Sequence, residues 1–345
     1  PAPIQSLTLK TVSTTAVDED GKPVEVLSTM AYGTTGNVKL AAQIVNGGIS
    51  VETKWYKVSG EKTEPINAAG DNTYTLPANL SAGTHTYRVT ATANGYSKTV
   101  DIPVTVTRID LSSATVTLKL DKSPTNSSGW HFFSPKEDGT GNLITQEIES
   151  VTVNTDYGVV TLKEGTDYKV VGNKQTDAGN YRLHIERMAG NTNVVGESGD
   201  ISWRINAFVL SMPEFKNDEI KKPYDGTTDL AADAIPSPNH FKAHENMGYS
   251  GTISLTADKD YVVKKANYNS ADVGDKKCVT CEIELKNTNY QFGNGMICEI
   301  VLDPDNLPFY VEAEIVKADA PTATETDKLE VVNKLAKTYT FELSG

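Results

Sequence analysis

Three thiols sit close together in the sequence, Cys278-x-x-Cys281 and Cys298. Three thiolates are a donor set that zinc accepts. That set fails if the segment is a strand, because residues three apart then point to opposite faces. Val279, Cys281, Ile283 and Leu285 would share one face, and Met296, Cys298, Ile300 and Leu302 one face of the next strand. Cys281 and Cys298 therefore read as core neighbours, either bridged or buried as thiols, with Cys278 pointing away. Carboxylates offer a second option. Asp18, Asp20, Asp303 and Asp305 stand at alternate positions in Asp18-Glu19-Asp20-Gly21 and Asp303-Pro304-Asp305-Asn306, as oxygens do in calcium loops. Neither run completes an EF-hand spacing, and a solvated turn is the simpler reading of each. Calcium is the one cofactor these residues bring to mind.

Acid–base and nucleophilic chemistry find little footing. The histidines at 85, 131, 184, 240 and 244 are scattered, with no Gly-x-Ser-x-Gly elbow and no His-Glu-x-x-His pair. The expectation is a protein that is not an enzyme. Trp130-His131-Phe132-Phe133 interrupts a Ser/Gly/Asn-rich stretch. These four side chains could form a platform for a host or matrix glycan or protein, or Trp130 and Phe133 could plug the end of a sandwich. Trp55, in Thr53-Lys54-Trp55-Tyr56-Lys57-Val58, reads as core, and Trp203 as core or interdomain packing. A Lys–Asn or Lys–Asp cross-link beside a buried carboxylate is a further option without assigned residues. It would lower the intact mass by one ammonia or one water per domain.

The elements that must position these groups are strands. Alternating, β-branched runs recur from Val38 to Val316, separated at short intervals by Gly, Asn, Asp and Pro. Only Leu329 to Ala336 offers a short helical pattern. An internal repeat organises the runs. Ala82-Gly83-Thr84-His85-Thr86-Tyr87 matches Ala178-Gly179-Asn180-Tyr181, and Asp272-Val273-Gly274-Asp275 is a third copy, the glycines standing 96 and 95 residues apart. A period near that length fits an Ig-type sandwich. In this reading Gly83, Gly179 and Gly274 turn the chain tightly before the penultimate strand. Upstream of two copies an Asp-Tyr opens a strand, at Asp167-Tyr168 and Asp260-Tyr261. The fold class expected is all-β, with tandem Ig-like β-sandwich domains in an elongated array. The domains are 1–107, 108–206 and 207–317, with a linker and the start of a fourth repeat at 318–345. The connections are short, so the domains should be joined stiffly.

Around Lys222-Pro223-Tyr224-Asp225-Gly226-Thr227-Thr228 the sequence resembles the YDG and MBG repeats of large bacterial surface proteins. The likeness extends through Asp260-Tyr261, Ala271-Asp272-Val273-Gly274 and Asn287-Thr288-Asn289-Tyr290. Domain two carries a weaker form in Glu137-Asp138-Gly139-Thr140, and domain one keeps Tyr32-Gly33-Thr34 and Asn94-Gly95-Tyr96. The resemblance implies a β-sandwich or β-grasp-like module that fills a stalk or adhesin, and it brings no catalytic residues. Read from the residues, Asp225-Gly226 is a turn in which glycine is free to take positive φ, with Tyr224 anchoring it.

Composition sets the outer bounds. With 45 acidic against 32 basic residues, the net charge of −13 and the lack of a Lys/Arg cluster argue against nucleic acid. No run approaches the roughly 20 apolar residues of a membrane-spanning helix. The Pro1-Ala2-Pro3 start reads as a mature or excised segment. These observations predict a monomeric, extracellular, cell-wall-associated stalk or adhesin segment. The alternatives are a carbohydrate- or host-protein-binding module and an accessory part of a polysaccharide-degrading enzyme.

Overall fold

The computed structural model describes residues 3–17, 23–25, 29–34, 38–66, 72–78, 80–120, 129–215, 218–305 and 311–319. Asp18 and Asp20, the segment Leu329 to Ala336 and the rest of the 318–345 stretch beyond Asp319 lie outside the described residues. The described elements are strands and three short 3-10 turns. Contacts gather the chain into two units. The first comprises residues 1–122, 145–175 and 180–204, the second residues 123–144, 176–179 and 205–345, so the 108–206 segment contributes to both.

The first unit opens on nine strands: β1 (Ile4–Val17), β2 (Pro23–Glu25), β3 (Thr29–Ala31), β4 (Val38–Asn46), β5 (Glu52–Ser59), β6 (Lys62–Ile66), β7 (Thr73–Thr75), β8 (Gly83–Ala93) and β9 (Tyr96–Thr107). One sheet has the order β2-β1-β4-β7 and the other β3-β9-β8-β5-β6. β3 runs parallel to β9, and the other neighbours are antiparallel. Two facing sheets, with the early strands divided between them and the last two forming a hairpin, make an Ig-like sandwich. The alternation of β8 shows why the sheets close. Tyr87, Val89, Ala91 and Ala93 turn inward while the residues between them face out. Tyr87 and Val89 meet Trp55, Leu40, Val104 and Val106 in one core, and Ala91 and Ala93 meet Ile4 in another. Asn94 and Gly95 both take positive φ, so the segment matched to the repeat motif here is the tight turn of the β8–β9 hairpin.

Beyond Thr107 the first unit continues with Thr115–Leu118 against Ile148–Thr155, which also pairs with Gly158–Thr161, and with Tyr168–Val171 against Gly179–Arg187. Its second core gathers Leu111, Val151, Leu162, Tyr168, Ile185 and Val194. Trp203 is 1% exposed, and its indole N–H donates to the Gly172 carbonyl.

The second unit pairs Phe208–Leu210 parallel to Tyr290–Phe292 and Asp218–Pro223 parallel to Val311–Val316. Its largest sheet has the order Asp229–Leu230, Tyr261–Tyr268, Val279–Leu285, Ile297–Leu302. Val279, Cys281, Ile283 and Leu285 all point into the core. Cys281 lies opposite Ile300 and Cys298 opposite Ile283, so the two cysteines are diagonal neighbours on adjacent strands. All three cysteines are free thiols. Burial pushes the Cys281 thiol up to about 12.

Candidate functional site

The groups that come together most specifically are the amide-bearing tips of two loops, and they do so twice. Asp167 and Asp260 precede the core tyrosines Tyr168 and Tyr261 and are themselves only 4% and 6% exposed. Each carboxylate accepts one bond from its own loop, from the Lys163 N–H at 2.9 Å and the Thr256 N–H at 2.8 Å. Its other oxygen accepts from a side-chain amide, Asn191 at 3.3 Å and Asn287 at 2.9 Å. The carbonyls of those amides accept the backbone N–H of Asn193 at 2.7 Å and of Asn289 at 3.0 Å. An acid that is nearly sealed from water must find such donors, and here they fix the shape of an Asn-x-Asn tip.

The outer asparagine of each tip reaches the preceding sandwich. Asn193 Oδ1 accepts the Ala82 N–H at 2.8 Å, and Asn289 Oδ1 accepts the Ala178 N–H at 2.7 Å, both across 111 residues. Asn289 Nδ2 also donates to Asp177 Oδ1 at 2.9 Å. The backbone carbonyls of the same residues accept the N–H of the first strand of their own domain, Ile109 at 3.0 Å and Phe208 at 2.8 Å. One asparagine thus ties the end of one sandwich to the start of the next. A single residue, Arg108 or Ala207, separates the strands on either side. Each joint lies wholly inside one of the two units.

A second contact repeats as well. Tyr32 donates its N–H to the Thr107 carbonyl, and Phe133 donates to that of Asn206, in each case the last residue of the last strand. The Tyr32 hydroxyl then bonds Asp167 Oδ1 at 3.1 Å, and burial followed by the Asp167 charge raises its pKa. Phe133, 1% exposed, packs edge-on against Tyr290 at 5.2 Å, and the Tyr290 hydroxyl donates to the Gly139 carbonyl at 2.8 Å. Beside these aromatics stand Gly33 and Gly139, both at φ +79°. A Cβ on Gly33 would meet Val160 Cγ1 at 2.6 Å, and one on Gly139 the Ser254 carbonyl at 2.7 Å. Both positions need glycine for its backbone and for the approach of the next domain.

Several expected site residues take other places. Phe133 is sealed in a joint and is no part of an open platform. His131 and Phe132 form a short strand parallel to Ile205–Asn206 and, like Trp130, are half-buried. Trp55 is buried at 3% exposure, in the core where its strand pattern placed it. Asp303 Oδ1 accepts the Asp305 N–H, and Asp305 sits 3.6 Å from Lys276, so the two close a turn. Among the repeated glycines only Gly83 has positive φ. Gly179 opens a strand and Gly274 bridges to Ile315. The feature these three share is the preceding residue, whose amide in two of them the next domain takes.

The repeat motif itself is a turn. Asp225 Oδ1 accepts both the N–H and the hydroxyl of Thr227, as Asp138 Oδ1 does from Thr140. Sequence reading placed Lys222 and Asn287-Thr288-Asn289 within the motif but gave neither a role; Lys222 spans this turn with its ammonium, and an Asn-Thr-Asn that follows each Asp-Tyr was the available signal. Among the described residues one group has metal-ligand atoms within reach of one another, His184, Glu186 and Glu197, and its Glu186 is paired with Lys169, Nζ 2.6 Å from Oε2.

No family model matches the sequence, and no curated protein is significantly similar to it. Among solved structures, an I-band fragment of titin aligns over 92% of this chain and 100% of its own, at 13% identity and a TM-score of 0.25. Domains 4–9 of the surface layer protein SbsC align over 92% of this chain and 48% of theirs, at 13% identity and a TM-score of 0.22. The SGBP-B protein of a Bacteroides ovatus mixed-linkage glucan utilization locus aligns over 84% of this chain and 65% of its own, at 10% identity and a TM-score of 0.19. The fold assignment above rests on the strand pairing.

Proposed function

We propose that this chain is a non-enzymatic spacer, a stalk or adhesin segment of an extracellular, cell-wall-associated bacterial protein built from Ig-like sandwiches at 1–107 and 108–206 and a YDG-type sandwich at 207–317. The observation that carries this reading is the joint used twice with the same 111-residue reach. Polar clasps, buried aromatics and glycines without room for a side chain oppose hinge motion within each joint. Resistance to hinging is what a spacer needs, whereas a catalytic or ligand-gated pair of domains needs a hinge. The loss of Phe133 to a joint removes support from the aromatic-platform alternative.

Small-angle scattering on the full chain tests the proposal. A ten-residue strand spans ~33 Å, so three sandwiches end to end give a largest dimension above ~100 Å. A compact profile overturns the reading. A glycan and matrix-protein screen accompanies it, with no saturable binding expected. Binding that Trp130→Ala abolishes would replace the spacer by a recognition module.

A further inference from the structure

The third sandwich carries the receiving half of the same joint. The strand Val311–Val316 ends as the last strands before it end, with the Tyr224 N–H donating to the Val316 carbonyl at 2.8 Å. Tyr224 therefore stands where Tyr32 and Phe133 stand. Gly274 pairs with Ile315 as Gly83 pairs with Val106, which puts Val273 at the position of Ala82 and Ala178. Asp272 then corresponds to Asp177. Gly226, at φ +76° in an Asp-Gly-Thr turn like that of Gly139, completes the set.

What differs is the cover. Ala82 and Ala178 are half-buried in their joints, whereas Val273 is 44% exposed. Phe133 is 1% exposed, whereas Tyr224 is 48% exposed. A Cβ on Gly33 or Gly139 would strike the next domain, whereas one on Gly226 would find only the Tyr224 hydroxyl, at 4.0 Å. The Asp272 carboxylate takes a hydrogen bond from Ser270 on Oδ2, which leaves Oδ1 for another donor. Among the described residues no acceptor meets the Val273 amide. A carboxylate oxygen beside a backbone N–H is the pair that holds the Asn289 carboxamide, one accepting its NH2 and the other donating to its oxygen.

We infer that the end of the third sandwich formed by Tyr224, Gly226, Asp272 and Val273 is a docking surface for a fourth sandwich of the same kind, which presents an Asp-braced Asn-x-Asn tip. The inference rests on the spacer reading and specifies its partner. In the two joints the clasping asparagine follows the first strand residue of its domain by 84 and 81 residues, Ile109 to Asn193 and Phe208 to Asn289. A domain starting at Ala318 would bring its own asparagine to the same place after a similar length. The exposed valine and tyrosine supply apolar surface to bury, and the Asp272–Val273 pair supplies specificity for a primary carboxamide.

The test inserts a copy of residues 208–317 directly after Lys317 of the full chain, so that Lys317 is again the single connecting residue, with the 318–345 segment following, and reads amide hydrogen exchange at Val273. The inference expects exchange about tenfold slower than in the unextended chain, the size of one hydrogen bond. Asn→Ala at the copied Asn289, or Gly226→Glu in the third sandwich, should restore the original rate. A second version carries a copy of residues 109–206, whose clasp is Asn193, in case the first copy fails to fold. Unchanged Val273 exchange beside a copy whose own core amides are protected overturns the inference. So does slowing in the unextended chain that grows with concentration, which would assign the surface to a second copy. Scattering and binding on the unextended chain decide the spacer reading separately, so the two can fail independently.

Discussion

Lys222 folds its ammonium over the Asp225-Gly226 turn, meeting Asp225 Oδ1 at 2.8 Å, the Thr227 hydroxyl at 2.9 Å and the Asp229 carbonyl at 2.6 Å. The Lys222 bond, followed by the Thr227 N–H, lowers the Asp225 carboxyl to about 2. A depressed carboxyl stabilises the folded form above the unfolded pKa of about 3.9 and loses that contribution as pH falls through the folded value. The turn should therefore hold at neutral pH and loosen in strong acid, between about pH 4 and pH 2. Carbon-detected NMR should find the Asp225 midpoint near 2, and Lys222→Met should move it up toward 3.8. A midpoint unaffected by the lysine would assign the shift to Thr227. At Cys281, a thiol at about 12 and 1% exposed should resist alkylation at pH 8 in the native chain and react once the chain is unfolded. Rapid native labelling at this site would contradict its place in the core.

Three glycines of one motif type, in three different surroundings, separate backbone from packing. Gly33→Ala and Gly139→Ala combine positive φ with a Cβ contact under 3 Å, on Val160 and on the Ser254 carbonyl. Each should cost roughly 2–5 kcal/mol, strain and overpacking together. Gly226→Ala meets no neighbour closer than 4.0 Å and should cost only about 1–2 kcal/mol. Chemical denaturation of the three variants checks the order, and equal losses would mean that backbone strain alone decides. At this scale much was legible. Alternation in Tyr87, Val89 and Ala91 marked an inward face, and the Asp-Tyr pairs marked strand starts. Gly83 takes the positive φ expected of it, whereas Gly179 and Gly274 do not, because a residue type reports what conformations it permits and not which one the neighbouring strand imposes.

For the whole molecule, the clasps should matter more to coupling than to the folding of each sandwich. Asn193→Ala and Asn289→Ala each remove hydrogen bonds worth ~1–3 kcal/mol at a partly buried contact. Thermal unfolding should lose cooperativity between neighbouring domains, and scattering should show a broader distribution of sizes, while the strand content stays unchanged. Loss of strand content instead would make the asparagines part of the domain cores. The single-residue connections at Arg108 and Ala207 permit stiffness without enforcing it, so these side chains are the place to test it.

The sequence by itself determined the strand chemistry, the inward faces and the repeat period, because alternation, turn residues and spacing are properties of consecutive residues. It also marked Cys281 and Cys298 as neighbours on one face of adjacent strands, since the period of a strand fixes which side chains share a face; only Cys281 is fully buried there. Only the tertiary structure decided what the Asp-Tyr, Asn-x-Asn and Ala-Gly segments are for. Their meaning lies in bonds that cross 111 residues, Ala82 to Asn193 and Ala178 to Asn289. A hydrogen bond at that separation leaves no local pattern, so the Ala-Gly half reads as a turn and the Asn-x-Asn half carries no local role until the fold brings the two together.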